Sequence, residues 1–131
     1  MSELHTANQS VGRVKASSVG LDIEVTIPVC EGLNIVLASF QGLYLQYQKH
    51  HFVFEGADTP QEDGCFTEPQ MVEHDLAAEK SVISLLRSQV AQAESLCARA
   101  TRYLLEQLLL TSEERVFYLA PFWASDSLKV A

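Results

Sequence analysis

Three side chains have the chemical type and the position that metal coordination requires: His51, Glu79 and Glu113. Imidazole and carboxylate groups are common ligands of iron, zinc and copper. His51 lies on the line of one apolar helical stripe, and Glu79 is the one charged member of another. Glu113 has the place of the carboxylate in the Glu-x-x-His pair of di-iron helical bundles, but Val116 stands where that pair has its histidine. We therefore predict a metal site built from these three ligands, with half of the di-iron motif present.

Each of the three residues could instead have a purely structural role. A histidine on an apolar helix seam is typically a hydrogen-bonded core or interface residue. A buried carboxylate such as Glu79 is costly unless it is partly exposed or paired, for example with Arg102 or Arg115. A glutamate on a helix flank, such as Glu113, is normally a solvated charge. Both interpretations stay open for each residue.

Other reaction chemistry has no motif in this chain. The sequence contains no GxxxxGK[ST], GxGxxG, GxSxG or HExxH pattern. Its three cysteines, Cys30, Cys65 and Cys97, form no CxxC pair, which indicates reduced thiols and a cytoplasmic protein. No segment shows the charge and apolar pattern of a signal peptide or the ~20 apolar residues of a membrane span, so we expect no membrane contact.

Composition indicates one globular, acidic domain. The chain has 131 residues, of which 47% are hydrophobic and 20% charged, and its formal net charge is −8. These values exclude a disordered polymer and oppose binding of a nucleic acid over the whole surface. Residues 1–20 form a polar tail that holds the cations Arg13 and Lys15. This tail is either a mobile terminus or an arm making weak, salt-sensitive contact with DNA.

The remaining residues, 21–131, are predicted to form an all-α domain of three long helices. Residues 21–27 alternate apolar and polar residues, which predicts an extended segment lying along the helices, with Thr26 and Pro28 as helix-start signals. The first helix is expected over 28–55, a loop over 57–70, the second helix over 70–95 and the third over 99–124. No Gly or Pro separates the last two, so a single continuous helix is the alternative.

Apolar stripes at helical spacing predict which face of each helix is buried. The third helix has a second strip, Leu104, Tyr118 and Phe122, which suggests contact with another subunit. The predicted stripes are Leu33, Leu37, Phe40, Tyr44, Tyr47, His51 and Phe54 on the first helix; Val72, Leu76, Glu79, Ile83, Leu86, Val90, Ala93 and Cys97 on the second; and Leu105, Leu108, Leu109, Ser112, Val116, Leu119 and Trp123 on the third.

The first helix resembles the A helix of the Dps family, the DNA-protection mini-ferritins, and is most similar to their cyanobacterial branch. The family pattern there is a Leu-Tyr pair followed by Lys-x-x-His-Trp-x-x-x-Gly, in which His51 matches the histidine, Phe52 replaces the tryptophan and Gly56 matches the glycine. Residues 70–80 and 101–115 resemble the family's C and D helices. The resemblance implies a ferritin-like bundle, assembly into a shell, and iron as the metal that is oxidised and stored.

One family element has no counterpart here. The resemblance implies a B helix of about 25 residues between the A and C helices, whereas only residues 57–70 separate them in this chain. Because the family's ferroxidase ligands come from the A helix of one subunit and from B helices, only His51 is carried over. We therefore expect a Dps-like protein that binds Fe(II) and protects DNA and the cell from oxidative damage, with an impaired ferroxidase site and a homo-oligomeric state.

Two other functions remain open at this stage. The first is a non-catalytic, ferritin-like structural or assembly subunit, which fits the retained apolar stripes and the small number of ligands. The second is a DNA-compacting protein without ferroxidase activity that acts through Arg13 and Lys15.

Overall fold

Three long α-helices form the described part of the chain, and no strand occurs in it, as the all-α prediction requires. The computed structural model describes residues 17–55 and 68–129, with side chains over 17–52 and 69–121. The helices are α1, Ile23–Glu55; α2, Glu68–Ser95; and α3, Arg99–Lys129. Residues 1–16 of the tail predicted over 1–20, and most of the loop predicted over 57–70, lie outside these residues.

The predicted extended segment over 21–27 is wrong, because α1 already begins at Ile23. The carbonyl of Asp22 accepts hydrogen bonds from the backbone N–H groups of Val25 and Thr26, both at 3.0 Å, and so opens the helix. Val25 then packs against the core one turn before Val29. A lone strand would leave its backbone groups without partners, whereas the helix satisfies them locally. Pro28 lies inside α1, near its beginning, and is not a start signal.

The predicted stripe of α1 is correct in part, because alternate members of it face the core and the others do not. Val36, Leu43 and His50 are buried, each seven residues from the next. Leu37 and Tyr44 are 57% and 65% exposed, and His51 is exposed as well. Leu33, Phe40 and Tyr47 of the predicted stripe do pack against the core, partly buried. Since one residue corresponds to about 100° around a helix, its other described members lie on a second apolar face that the single chain leaves uncovered.

The predicted stripes of α2 and α3 are largely confirmed. Leu76, Glu79, Ile83, Leu86 and Ala93 are buried on α2, and Leu105 and Ser112 on α3. The helix α2 contacts both other helices and packs along more of α3 than of α1. The core consists of residues from all three helices and the turn: Val36, Leu43, Val82, Leu86, Ala93, Ala98 and Leu105.

A tight turn separates α2 from α3, so the continuous helix does not occur. Cys97 has a φ of 55°, in the left-handed region. The N–H of Ala98 donates to the carbonyl of Ala93 at 2.9 Å, and the N–H of Cys97 donates to that of Glu94 at 3.0 Å. This is the Schellman hydrogen-bond pattern, which ends a helix at a left-handed residue. Cys97 is exposed in the turn, so its predicted place in the α2 stripe is wrong.

The apolar character of α1 also bears on the expectation of no membrane segment. By length and composition alone, residues 23–52 could cross a membrane, and only 17% of their most apolar window is buried in the structure. A helix covered by protein on two sides has the same composition, so this feature does not assign a membrane location. The low buried fraction shows that α2 covers only one side of α1.

Candidate functional site

A buried carboxylate lies at the centre of the helical core. The side chain of Glu79 on α2 has no exposed surface. The hydroxyl of Tyr47 on α1 donates to its Oε1 at 2.9 Å. Arg115 on α3 donates through Nε to the same oxygen at 2.5 Å and through Nη2 to Oε2 at 3.3 Å. Glu79 is therefore paired with Arg115, one of the two arginines considered from the sequence, and joins all three helices.

Two further contacts position the guanidinium of Arg115. Its Nη2 donates to Oγ of Ser112, a fully buried residue one turn earlier on α3, at 2.8 Å. Its Cζ lies 5.9 Å from the centre of the Phe40 ring, which is cation–π distance. The other candidate partner, Arg102, instead contacts Glu94 and Glu106 at the α2–α3 turn.

The environment of Tyr47 holds this residue in its neutral form. Burial raises the pKa of its hydroxyl above the ordinary tyrosine value, and the hydrogen bond to Glu79 and the negative charge of Glu79 raise it further. Ionisation of Tyr47 would put a phenolate next to the carboxylate of Glu79 in a partly desolvated environment, so the proton stays on Tyr47. Tyr47 therefore acts as a hydrogen-bond donor to Glu79 across the ordinary pH range.

A second buried polar pair connects α1 and α2. Nδ1 of His50 lies 2.8 Å from Oδ1 of Asp75, and both residues are almost fully buried. The same Oδ1 accepts a hydrogen bond of 2.8 Å from the amide of Gln46. The ring of His50 is not oriented to donate to that oxygen, so Nδ1 has no hydrogen bond among the described residues. Sequence reasoning placed His51 on the seam and missed His50; the Val36–Leu43–His50 spacing was the signal that could have found it.

The three predicted metal ligands lie in different environments. Glu79 is in the core, held by Tyr47 and Arg115. Glu113 is on the surface, where its Oε1 accepts a hydrogen bond from Arg87 at 2.7 Å. His51 is exposed on α1, with its ring centre 6.1 Å from that of Phe52.

Within residues 17–52 and 69–121 of a single chain, no group of three or more His, Cys, Asp or Glu side chains is placed to hold a metal ion. Glu79 also has hydrogen-bond donors on both of its oxygens, one of them a cation, so a metal would have to displace Arg115. A site that uses His51 therefore needs ligands from another copy or from the residues outside the described ones. The metal site stays a prediction.

Comparison with known proteins places this chain among its relatives. No protein-family model matches it. It is 41% identical to the nutrient stress-induced DNA-binding protein of Nostoc sp., in an alignment of 174 positions that covers 98% of this chain and 95% of that protein. It is also 41% identical to the protein of the same name from Synechococcus sp., over 169 positions covering 94% of this chain and 96% of the relative.

The length of these alignments shows that the relatives contain residues this chain lacks. The 174 aligned positions exceed the 131 residues of the chain, so at least 43 positions of the Nostoc protein have no residue opposite them. A deficit of this size is sufficient for the helix expected to be absent between α1 and α2. With this similarity over nearly the whole of its length, the chain belongs to the family of the nutrient stress-induced DNA-binding proteins, the Dps-like proteins of cyanobacteria.

Proposed function

We propose that this chain is a Dps-type stress-protection protein that works in the cytoplasm as an assembly of copies of itself. The observation that carries the proposal is the similarity, over nearly all of the chain, to two nutrient stress-induced DNA-binding proteins. The three helices keep a common core, and the Glu79–Arg115 pair fixes their relative positions. The chain therefore retains the scaffold on which a protective assembly can be built.

Exposed apolar surface supports the assembly. Large apolar side chains on α1 and α3 are left uncovered by the single chain, among them Leu37, Tyr44, Leu104 and Tyr118. Leu104 and Tyr118 belong to the strip that predicted contact with another subunit. Exposed large apolar side chains that share a helix face are typical of a protein–protein contact surface.

Ferrous iron is the proposed substrate of the assembly, and DNA its proposed partner. His51, the one ligand carried over from the resemblance, is exposed and accessible to groups from a neighbouring copy. Iron held by so few ligands would be oxidised and stored slowly. For DNA, the acidic net charge of −8 leaves only Arg13 and Lys15 as a local contact, which favours weak binding.

The second candidate, a non-catalytic assembly subunit, is favoured by the pairing of Glu79 with Arg115. Because both carboxylate oxygens already accept hydrogen bonds from the cation Arg115, this residue contributes to folding, and a metal would have to displace Arg115. The two candidates agree on assembly and differ in iron oxidation.

A plasmid-protection assay tests the proposed function. Supercoiled plasmid is treated with Fe(II) and hydrogen peroxide in the presence of the protein or of an equal mass of serum albumin. We expect the protein to leave more supercoiled DNA than albumin does. Equal nicking in both samples would contradict a protective role, whereas protection that persists in His51→Ala would favour the non-catalytic candidate.

A further inference from the structure

Three side chains with donor atoms meet between α1 and α2 around one carboxylate oxygen. Gln46 and His50 are four residues apart on α1 and therefore share a helix face, and Asp75 meets them from α2. Nδ1 of His50 and the amide nitrogen of Gln46 each lie 2.8 Å from Oδ1 of Asp75. His50 and Asp75 are only 5% and 6% exposed, so fixed groups surround this oxygen.

The contact between His50 and Asp75 is short but is not a hydrogen bond. Nδ1 is buried and has no hydrogen-bond partner among the described residues. A ring with its proton on the other nitrogen would place a lone pair of Nδ1 against the carboxylate oxygen at 2.8 Å, and a buried polar atom without a partner costs free energy. The charge of a buried carboxylate also requires compensation. A cation bound to both atoms would remove both costs.

The geometry of this contact fits a shared metal ion. An ion with bonds of about 2.1 Å to Nδ1 and Oδ1 would hold the two atoms at an angle of about 84° when they are 2.8 Å apart. Octahedral and tetragonal ions place neighbouring ligands about 90° apart, whereas a tetrahedral ion would separate the two atoms by about 3.4 Å. The ion would also leave Oδ1 to one side of the direction of the Nδ1 lone pair, where it cannot accept a straight N–H···O bond.

An open groove between α1 and α2 reaches this cluster at Gln46. Gln46 is half-buried and lines the groove together with Gly42, Ala78 and Ser81, and the groove has a volume of about 440 Å³. Since a water molecule occupies about 30 Å³, the groove has room for several. The amide of Gln46 can turn about its last side-chain bond, which exchanges the places of its nitrogen and its oxygen. The cluster therefore offers an imidazole nitrogen, a carboxylate oxygen and an amide oxygen, and water from the groove can fill further positions.

We propose that Gln46, His50 and Asp75 bind a divalent first-row transition-metal ion whose neighbouring ligands lie at right angles. The imidazole favours such an ion over Mg²⁺ and Ca²⁺. Because the third donor is an amide, the site is compatible with the lack, within 17–52 and 69–121, of any group of three His, Cys, Asp or Glu side chains placed for a metal. The ion would connect α1 to α2, which pack together less extensively than α2 and α3. The site lies within one chain and does not rest on the proposed function.

Calorimetric titration of the protein, without a histidine tag, with Ni(II) tests this site. Ni(II) is the probe because its geometries place neighbouring ligands at right angles. We expect one Ni(II) per chain and a melting temperature that rises with Ni(II) concentration, since an ion that binds only the folded chain stabilises it. His50→Gln and Asp75→Asn should each weaken binding at least about tenfold. The matched control His74→Gln makes the same chemical change at an exposed site next to Asp75 and should leave binding unchanged.

A gain of binding keeps the test decisive where a buried variant does not fold. Gln46→His puts a second imidazole four residues from His50, the spacing at which two histidines of one helix bind zinc, and should tighten Ni(II) binding at least about tenfold. The proposal is overturned if the wild-type protein binds no Ni(II), if folded His50→Gln binds it as tightly, or if Gln46→His gives no increase. Any of these results beside normal plasmid protection would refute the site and leave the proposed function in place. Ni(II) bound at this site without plasmid protection would do the reverse.

Discussion

Arg115 on α3 donates from Nε to Oε1 of Glu79 on α2 over 2.5 Å, and Glu79 is completely shielded from solvent. The chain also contains a surface pair of the same chemistry, Arg87 with Glu113, whose side chains are 64% and 43% exposed. The two pairs connect the same two helices in different dielectric surroundings. They form a natural comparison of a buried and an exposed ion pair.

The first prediction concerns the stability that depends on these pairs. Arg115→Ala leaves the buried carboxylate of Glu79 without its cation and should lower the free energy of unfolding by about 3 kcal/mol. Arg87→Ala breaks the exposed pair and should cost less than about 1 kcal/mol. Urea unfolding followed by circular dichroism, at one protein concentration, measures both. Equal losses in the two variants would contradict the prediction, because the buried pair would then contribute no more to stability than the exposed pair.

The second prediction concerns the ionisation of the tyrosines. The chain has 4 tyrosines, and the pKa of Tyr47 is raised by burial and by Glu79. In an absorbance titration at 295 nm, the part of the tyrosine signal that changes at the highest pH should disappear in Tyr47→Phe. Tyr44→Phe, at a site that is 65% exposed, serves as the matched control and should leave that component in place.

The direction of the linked stability change follows from the same shift. The unfolded chain releases the Tyr47 proton near pH 10, whereas the folded chain keeps it to higher pH. The stability contributed by this proton is complete below about pH 10 and is lost as the pH rises above that value. Tyr47→Phe should therefore reduce the alkaline fall in stability. A late component that survives in Tyr47→Phe would contradict the assignment.

The core of α2 and α3 could be predicted from the sequence because the longest apolar stripe of each helix is the one that is buried. The burial of Glu79 followed from its place between Leu76 and Ile83, and Arg115 was among its expected partners. The helix α1 has two apolar faces, one around Val36 and one around Leu37, and periodicity cannot tell which of them faces α2. This ambiguity led to the choice of His51 over His50.

Two backbone features also escaped prediction for physical reasons. The turn at Cys97 uses a left-handed residue without Gly, so the sequence carries no ordinary signal of a helix end. The alternation over 21–27 has the period of an extended segment, but α1 begins at Ile23, where helical hydrogen bonds satisfy the backbone locally. The metal ligands could not be located by periodicity, because ligands brought together by assembly leave no pattern in a single chain.

The third prediction concerns iron. We expect slow oxidation of Fe(II) at pH 7 that depends on His51, because this imidazole is exposed on α1, where ligands from a second copy could reach it. His51→Ala should reduce the optically followed rate to that of a protein-free control, and Glu79→Ala shows whether the core carboxylate takes part. A fast rate unchanged in His51→Ala would place the iron site elsewhere. Equal rates in all variants and in the control would favour the non-catalytic assembly subunit.

The fourth prediction concerns DNA. Because only Arg13 and Lys15 give the tail local positive charge, few counterions are released on binding, and the contact should be weak. Plasmid retardation in gels should be detectable only at low ionic strength and should be lost by about 0.2 M salt. The double variant Arg13→Ala, Lys15→Ala should abolish it. Retardation that persists at that salt concentration, or in the double variant, would show that another surface binds DNA.

The central claim is that the chain functions as an assembly of copies, and its molecular mass in solution tests that claim most directly. Light scattering coupled to size-exclusion chromatography should be carried out on the wild-type protein at micromolar concentration. We expect a mass that is a multiple of the 14.5 kDa chain, because the single chain leaves the second apolar face of α1 and the strip of α3 uncovered. A particle of 14.5 kDa at that concentration would contradict the claim.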